Sequence, residues 1–322
     1  MEFIVLVTAV MASYNHEKYI AQAIESVLNQ TFTDLELVIV DDCSTDASPD
    51  IIKKYSEKDP RVRAFFHQKN QGIAKTLNDC LKEAQGKYVG FIGSDDMWLP
   101  YKLKRQLNLI KGNEDKILWS SGQVIDSNGA LTGQKVSDLI GEAPKRSGNL
   151  FQDLLIEDFV FGQSVLVKTE YAREVGFDES FRFVNDHLFF INLAKKHEFL
   201  YDPADLALYR IHKRNTTALH QETWYRERIS LRNKLLESYK GEVASYALAD
   251  IYYKLGHAYD VLGKRISARH YYLKALWVPQ LRANSVLYLL SIGNKGFIGA
   301  QLERHYKKML SLLASRKLQF AG

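Results

Sequence analysis

The sequence predicts an α/β protein in which a large domain with a mostly parallel central sheet is followed by an α-helical C-terminal region. Apolar strand-type runs alternate with amphipathic helical segments through the first hundred residues, and strand signals become rare after about residue 219. Such an alternation is typical of parallel strands joined by right-handed helical crossovers. We therefore expect an α/β domain over residues 1–218 and a helical region over residues 219–322.

The individual elements follow from periodicity and from start and stop signals. Apolar residues recur at helical spacing between Glu17 and Asn29, and Pro49 suits the first turn of the next helix. The strands are short β-branched or apolar runs that end in polar residues. In chain order we predict a strand over 3–11, a helix over 17–29, a strand over 35–40, a helix from 48, a strand over 61–66, a helix over 73–84 and a strand over 88–92.

Polar side chains follow three of these strands at the point where each ends. They are Ser13-Tyr14-Asn15, the pair Asp41-Asp42 and the pair Asp95-Asp96. Ligands of such sheets bind beyond the carboxyl ends of the strands. Hard divalent cations take carboxylate oxygens and commonly bridge them to substrate phosphates. An Asp-rich turn without a ligand is the alternative for Asp95-Asp96 taken alone.

Composition narrows the class of protein. The chain has 322 residues, of which 46% are hydrophobic and 25% charged, as in ordinary globular proteins. Neither a Gly-x-Gly-x-x-Gly nor a Walker sequence occurs, which argues against a nicotinamide enzyme or a nucleotide hydrolase. Cys43 and Cys80 form no disulfide framework. This cysteine usage favours a reducing, cytoplasmic setting. No apolar run approaches the roughly 20 residues that span a bilayer, so we expect a soluble or peripheral protein.

Charge is unevenly distributed along the chain. Eleven basic residues and one acidic residue lie between Val261 and Gly322, so the net charge of that segment is +10. The net charge of the whole chain is +5, and the first 260 residues therefore have a net charge of −5. A basic helix predicted over 300–318 could lie on an anionic membrane surface, at the inner face of the membrane. A solvated basic face on an ordinary packed helix is the alternative. We expect no nucleic-acid partner.

Five sequence blocks, in this order and spacing, resemble family 2 glycosyltransferases of the GT-A fold. The resemblance covers about residues 3–215. The blocks are Met11-Ala-Ser-Tyr-Asn15, Ser26-Val-Leu-Asn-Gln-Thr-Phe32, Glu36-Leu-Val-Ile-Val-Asp-Asp-Cys-Ser-Thr-Asp46, Asn70-Gln-Gly72 and Gly93-Ser-Asp-Asp96.

The resemblance implies a site for a nucleotide-diphosphate sugar. It assigns Asp42 to the uracil N–H with Asp41 supporting the turn, and Asp95 and Asp96 to the ribose and to a Mn2+ or Mg2+ ion bridging the two phosphates. The family often has an acid where this chain has Gly93, which leaves open which of the two acids ligates the ion. The remaining donor-site residues implied are Ala12, Ser13, Tyr14 and Lys75, the last being alternatively a solvated helix residue.

The resemblance also implies residues near the acceptor. A Glu-Asp pair of the family, whose Asp is the catalytic base, corresponds here to Asn185-Asp186. A base must reach the acceptor hydroxyl on the face opposite the leaving diphosphate. The alternative is that Asp186 caps a helix beginning at His187, a role that is compatible with catalysis. His212 is implied as a metal ligand and Arg210 as a phosphate partner, and an imidazole ligand favours Mn2+ over Mg2+.

The helical region contains a pattern that resembles a single tetratricopeptide unit. One such unit cannot bury its own apolar face, so it must pack on other helices, on the first domain or on another chain. A homo-oligomer is therefore left open. The residues of the pattern are Tyr252, Leu255, Gly256, Tyr259, Ala268, Tyr272, Ala275 and Pro279.

Taken together, these features and the resemblance predict a metal-dependent glycosyltransferase, and the resemblance implies that it inverts the anomeric centre. The expected donor is a nucleotide sugar, most simply a UDP-sugar. The expected acceptor is a hydroxyl of a glycan or lipid-linked glycan in surface or capsular polysaccharide synthesis. A sugar-nucleotide pyrophosphorylase would need a Gly-rich basic loop that residues 11–16 lack. An inactive glycosyltransferase-like scaffold that binds partners through its helical tail is the non-enzyme alternative.

Overall fold

The computed structural model of the chain describes residues 5–140, 146–213, 215 and 221–277. The strands are β1 (Val5–Ser13), β2 (Leu35–Asp41), β3 (Val62–Phe66), β4 (Gly86–Phe91), β5 (Met97–Trp98), β6 (Ile117–Ile125), β7 (Leu131–Lys135), β8 (Leu166–Lys168) and β9 (Phe199–Arg210). The helices are α1 (Ile20–Leu28), α2 (Ser48–Lys58), α3 (Ile73–Glu83), α4 (Lys102–Ile110), α5 (Val136–Ile140), α6 (Phe151–Ile156), α7 (Thr169–Val175), α8 (Asn185–Lys196), α9 (Gln221–Ser238), α10 (Ser245–Val261) and α11 (Arg265–Trp277), with a 3-10 turn at Gly162–Ser164.

A single twisted sheet organises the first part of the chain. Its strand order is β3-β2-β1-β4-β8-β6-β9-β5, with β7 paired to β6. The four strands β3, β2, β1 and β4 are mutually parallel, as are β6 and β9, whereas β8, β5 and β7 run antiparallel to their neighbours. All seven residues of β2 are buried, as expected for a parallel strand covered on both faces. The predicted α/β fold is confirmed.

Helical periodicity explains how the sheet is covered. The apolar positions of α1 that share one face are buried, with Ile20, Ala23, Ile24 and Val27 all fully inaccessible to solvent. These side chains pack in the same core cluster as Val7, Leu37 and other strand residues. The helix is therefore held to the sheet mainly by burial of apolar area.

Strand register brings the predicted polar residues to one edge. Ser13 at the end of β1 pairs with Asp41 at the end of β2, and Asp41 pairs in turn with Phe66 of β3. β4 ends at Phe91, just before the turn that carries Asp95 and Asp96. Arg210 at the end of β9 pairs with Ile125, so the second half of the sheet also delivers residues to this region.

The chain divides into two compact units between Glu227 and Arg228. Within the second unit α10 packs on α11, where Gly256 faces the Tyr272 ring so closely that a Cβ there would lie 2.6 Å from a ring carbon. The tetratricopeptide resemblance stays a prediction, and Pro279 and the basic segment 300–318 lie outside the described residues. No helix among the residues that the structure describes is long and apolar enough to cross a bilayer.

Candidate active site

Asp41 fastens the ends of the first two strands to each other. Its Oδ2 accepts hydrogen bonds from the hydroxyls of Ser13 (3.0 Å) and Ser44 (2.6 Å), and its Oδ1 accepts one from the Ser44 N–H (2.8 Å). Two non-glycine residues beside it, Asn15 (φ 56°) and Cys43 (φ 62°), adopt left-handed backbone conformations. Such conformations persist only where surrounding contacts over-determine them, and they are frequent at functional sites.

Asp42 holds the following turn against the strand end. Its Oδ1 accepts the Gln71 N–H (2.7 Å) and its Oδ2 the Gly72 N–H (2.8 Å), while His67 Nδ1 lies 2.8 Å from Oδ1. Gly72 has φ +88°, which only glycine adopts without strain. The buried Asp42 carboxylate is thus oriented by the Asn-Gln-Gly turn that the sequence singled out.

Lys75 lies in the first turn of α3, beside this turn, and is half-buried. Its ammonium contacts the Asp79 carboxylate one helical turn further on. Asp79 also lies 3.0 Å from His67 Nε2, which links it to Asp42 through the imidazole. The Lys75 ammonium is therefore paired with a carboxylate of the protein, and its predicted contact with the nucleotide stays a prediction.

Asp95 faces two imidazoles at the sheet edge. Its Oδ2 lies 3.0 Å from His212 Nε2 and 3.8 Å from His16 Nε2. The three donor atoms all lie within 4.8 Å of one another. Burial by itself would raise the pKa of Asp95. The hydrogen bond from His212 and the charges of the two histidines have the larger combined effect, so the pKa of Asp95 lies below its ordinary value. The ionised carboxylate is the form that a cation would bind.

The Asp96 carboxylate has hydrogen-bond partners that differ from those of Asp95. Its Oδ1 accepts the Arg210 N–H (2.8 Å) and its Oδ2 the Gln163 side-chain amide (2.6 Å). Burial and the neighbouring Asp95 carboxylate raise the pKa of Asp96 well above its ordinary value. Among the described residues, the cluster around Asp95 does not include Asp96, although the sequence proposed both as metal ligands.

Gly93 provides the space that both carboxylates occupy. A Cβ at this position would lie 2.6 Å from Asp96 Oδ2 and 2.9 Å from Asp95 Oδ1. Real Cβ atoms do not approach oxygen so closely, so any side chain here would displace the two carboxylates. The side chains of Asp95 and Asp96 thus occupy the space next to position 93, where the family often has an acid and this chain has glycine.

Arg210 is fully buried and braces the acidic turn from β9. Its Nε donates to the main-chain oxygen of Asp95 (2.7 Å). Its Nη1 donates to the main-chain oxygen of Asp126 (3.2 Å), and its Nη2 donates to Gln22 Oε1 (2.7 Å). The guanidinium also lies over the Tyr19 ring, 5.0 Å from its centroid. Each of these three side-chain hydrogen bonds goes to an oxygen of the protein.

Asp186 lies in the first turn of α8, since that helix begins at Asn185 and not at His187 as predicted. Its Oδ1 accepts the His187 N–H (2.8 Å). Desolvation by surrounding protein and the charge of Asp158 raise the pKa of Asp186 to about 7. The residue is nevertheless exposed to solvent, so water will offset part of that rise.

The remaining predicted residues lie at the end of β1. Ser13 is buried, Ala12 is half-buried, and Tyr14 is 45% exposed, which leaves its ring accessible to a ligand. His16 and Gln163 contact the two acids but were not predicted from the sequence as site residues. His16 directly follows the Ser-Tyr-Asn block, a signal that could have identified it, whereas nothing near Gln163 in the sequence points to Asp96.

Comparison with known proteins identifies the family. A sequence model described as glycosyl transferase family 2 matches residues 8–176. An uncharacterized glycosyltransferase of Methanocaldococcus jannaschii is 31% identical over 214 residues, covering 65% of this chain and 72% of that protein. TuaG of Bacillus subtilis, named provisionally as a teichuronic acid biosynthesis glycosyltransferase, is 42% identical over 105 residues, which are 33% of this chain and 42% of TuaG. The match thus spans less than half of that relative.

Solved structures share the fold at low identity. Staphylococcus aureus TarS 1-349 in complex with UDP-GlcNAc has a TM-score of 0.62 and 17% identity, covering 94% of this chain and 92% of that one. The mannosyltransferase PcManGT of Pyrobaculum calidifontis, in complex with GDP-Man and Mn2+, has a TM-score of 0.58 and 16% identity. That match covers 99% of this chain and 90% of the PcManGT chain. The family match and the relatives confirm the resemblance found in the sequence: the chain belongs to glycosyl transferase family 2.

Proposed function

We propose that this protein transfers a glycosyl group from a nucleotide sugar to a hydroxyl of a glycan acceptor, with inversion at the anomeric carbon. The observation that carries the proposal is the juxtaposition of Asp95 with His212 and His16 at the carboxyl edge of the sheet, next to the strand ends that hold Asp41 and Asp42. Carboxylate and imidazole donors suit a divalent ion that meets a diphosphate.

The nucleotide lies, in this proposal, over the ends of β1 and β2. Asp42 accepts three hydrogen bonds from the protein, and a carboxylate has about four lone-pair sites. One acceptor site therefore remains for a base N–H such as that of uracil. Tyr14, at 45% exposure, and Ala12 supply the surface for the base and ribose. The complexes of fold neighbours with UDP-GlcNAc and with GDP-Man support a nucleotide-sugar donor, and we favour UDP.

Asp95 and His212 are the residues that would hold Mn2+ or Mg2+. The lowered pKa of Asp95 keeps its carboxylate ionised, and an imidazole ligand favours Mn2+. A bound ion supplies Lewis-acid stabilisation of the negative charge on the departing diphosphate. Asp96 and Arg210 then act as positioning residues, since both hold the turn that presents Asp95.

Asp186 serves as the general base. Its carboxylate takes the proton of the acceptor hydroxyl while that oxygen forms a bond to the anomeric carbon and the bond to the diphosphate oxygen breaks. A base works best when its pKa lies near the operating pH, and desolvation together with Asp158 raises that of Asp186 toward this range. One displacement with one base inverts the anomeric centre.

The setting we propose is cytoplasmic synthesis of a surface polysaccharide, on a glycan or lipid-linked glycan acceptor. The provisional naming of TuaG for teichuronic acid biosynthesis supports this setting. A peripheral position at an anionic membrane, through the +10 segment between Val261 and Gly322, belongs to the same proposal. A catalytic domain over residues 1–218, a helical region over residues 219–322 and self-association belong to this proposal as well.

Calorimetric titration with UDP, with and without Mn2+, tests the donor site. We expect manganese-dependent UDP binding in the wild type and its loss in the double variant Asp95→Ala/Asp96→Ala. The exposed pair Glu170→Gln/Glu174→Gln on α7 is the matched control and should bind as the wild type does. Binding of GDP or dTDP in place of UDP would show that the donor carries a different nucleotide. If no nucleotide binds, the inactive scaffold becomes the better description.

A further inference from the structure

His16 is placed beside Asp95 by contacts of its main chain. Its N–H donates to Ser48 Oγ (3.0 Å), and its carbonyl accepts the N–H groups of Tyr19 and Ile20 (both 2.9 Å) at the start of α1. The preceding Asn15 has the left-handed conformation described above. The backbone of His16 is therefore fixed at the sheet edge, and its imidazole has little freedom to move away.

The ring of His16 is also oriented. Its Nδ1 lies 2.8 Å from the hydroxyl oxygen of Ser94, a residue that is 2% exposed. When Nδ1–H donates to that hydroxyl, the lone pair lies on Nε2, which faces Asp95 Oδ2 at 3.8 Å. Metal-bound histidines are commonly held in this way, by a hydrogen bond from the nitrogen that does not ligate.

The second imidazole is held by contacts with aromatic rings. His212 stacks on the Tyr19 ring, with centroids 4.7 Å apart and an interplanar angle of 30°, and His16 meets it edge-on at 5.6 Å. In octahedral coordination with metal–ligand distances of about 2.1 Å, neighbouring ligand atoms lie about 3 Å apart and opposite ones about 4.2 Å apart. Donor atoms that lie within 4.8 Å of one another need only a small contraction to meet this range.

We propose that His16 is a third protein ligand, so that the cation site has two imidazoles and one carboxylate and selects Mn2+ over Mg2+. The inference rests on the proposed function and extends it, because the site would then choose its metal through nitrogen ligands. The chain has Gly93 where a further acid would favour a hard, oxygen-only site. Mn2+ is a first-row transition ion and accepts imidazole ligands more readily than Mg2+, which prefers oxygen.

Pulsed electron paramagnetic resonance of Mn2+ bound to the full chain in the presence of UDP tests this directly. We expect nitrogen coupling from two imidazoles in the wild type and from one in His16→Ala. The exposed His270→Ala on α11 should match the wild type. Removal of an outer-shell partner lowers metal affinity about 10- to 100-fold, so loss of a ligand should weaken Mn2+ binding by at least about tenfold and reduce the preference over Mg2+.

The outcomes separate this inference from the proposed function. Manganese-dependent UDP binding with coupling from a single imidazole in the wild type would overturn the ligand role of His16 and leave the transferase proposal standing. Two coupled imidazoles without binding of any nucleotide would support the ligand role and count against the transferase. If His16→Ala does not fold, the imidazole count in the wild type still decides the question.

Discussion

The main-chain N–H of Arg210 donates a hydrogen bond to Oδ1 of Asp96 across 2.8 Å, joining the end of β9 to the acidic turn after β4. The Arg210 side chain binds the preceding residue as well, through the Asp95 main-chain oxygen. One residue from the second half of the sheet thus sets the conformation of both acids. Asp95 is consequently free to face the histidines while Asp96 is held inside the protein.

Replacing Asp96 by asparagine should leave the fold nearly unchanged. The raised pKa of Asp96 means that its ionisation opposes folding as pH rises, and the neutral amide removes that cost. Asp96→Ala instead leaves both the Arg210 N–H and the Gln163 side-chain amide without their acceptor and should lower the free energy of unfolding by about 1–3 kcal/mol. Denaturant unfolding of the metal-free protein measures both variants. Equal stability of the two variants would show that these hydrogen bonds contribute nothing.

Asp186→Asn should retain manganese-dependent UDP binding and lose transfer by about 100- to 10,000-fold, because it removes only the proton acceptor. Calorimetry measures the first property, and turnover with a donor and acceptor identified by screening measures the second. Glu170→Gln, at an exposed position of α7, serves as the control. Turnover near that of the wild type in Asp186→Asn would remove this residue from the role of base.

The rate of transfer should rise with pH as Asp186 loses its proton. Below the apparent pKa the carboxyl is protonated and cannot accept the hydroxyl proton, so the acid limb should lie between the ordinary value of 3.8 and about 7. Asp158→Asn removes one of the two causes of the rise and should move the limb to lower pH. A pH profile that is identical in wild type and Asp158→Asn would contradict this electrostatic coupling.

Lys102 should make stability depend on pH. The residue is fully buried, and its ammonium lies 2.6 Å from Gln106 Oε1 and 4.2 Å from the centroid of the Trp98 ring. Burial lowers its pKa from 10.5 to about 7. The unfolded chain then binds the extra proton between pH 7 and 10.5, so stability rises with pH across that interval.

Lys102→Met should reduce that rise. At about 1.4 kcal/mol for each unit of pKa, the buried ammonium disfavours folding near pH 7 by roughly 3–5 kcal/mol relative to pH 10. Denaturant unfolding between pH 7 and pH 10 compares the wild type with Lys102→Met. Lys104→Met, exposed on the same helix, is the matched control and should keep the wild-type slope. The same slope in all three proteins would mean that Lys102 titrates as an exposed lysine does.

The sequence by itself determined the α/β class, the order of the first strands and the acids at their ends. These features depend on local pattern: helical or strand periodicity over about ten residues, and polar residues that interrupt an apolar run. The blocks around Asp42 and Asp95 were recognisable because their residues are adjacent in the chain. Their side chains meet at one edge because parallel strands align their carboxyl ends.

Only the tertiary structure decided which of these side chains face one another. His16, Asp95 and His212 come from the loop before α1, the turn after β4 and the end of β9, and no local pattern relates them. The same is true of Gln163 and Arg210, whose bonds to the acidic turn span 67 and 114 residues. A chain fixes such contacts by packing distant segments together, and the orientation of each carboxylate follows from which donors that packing places beside it.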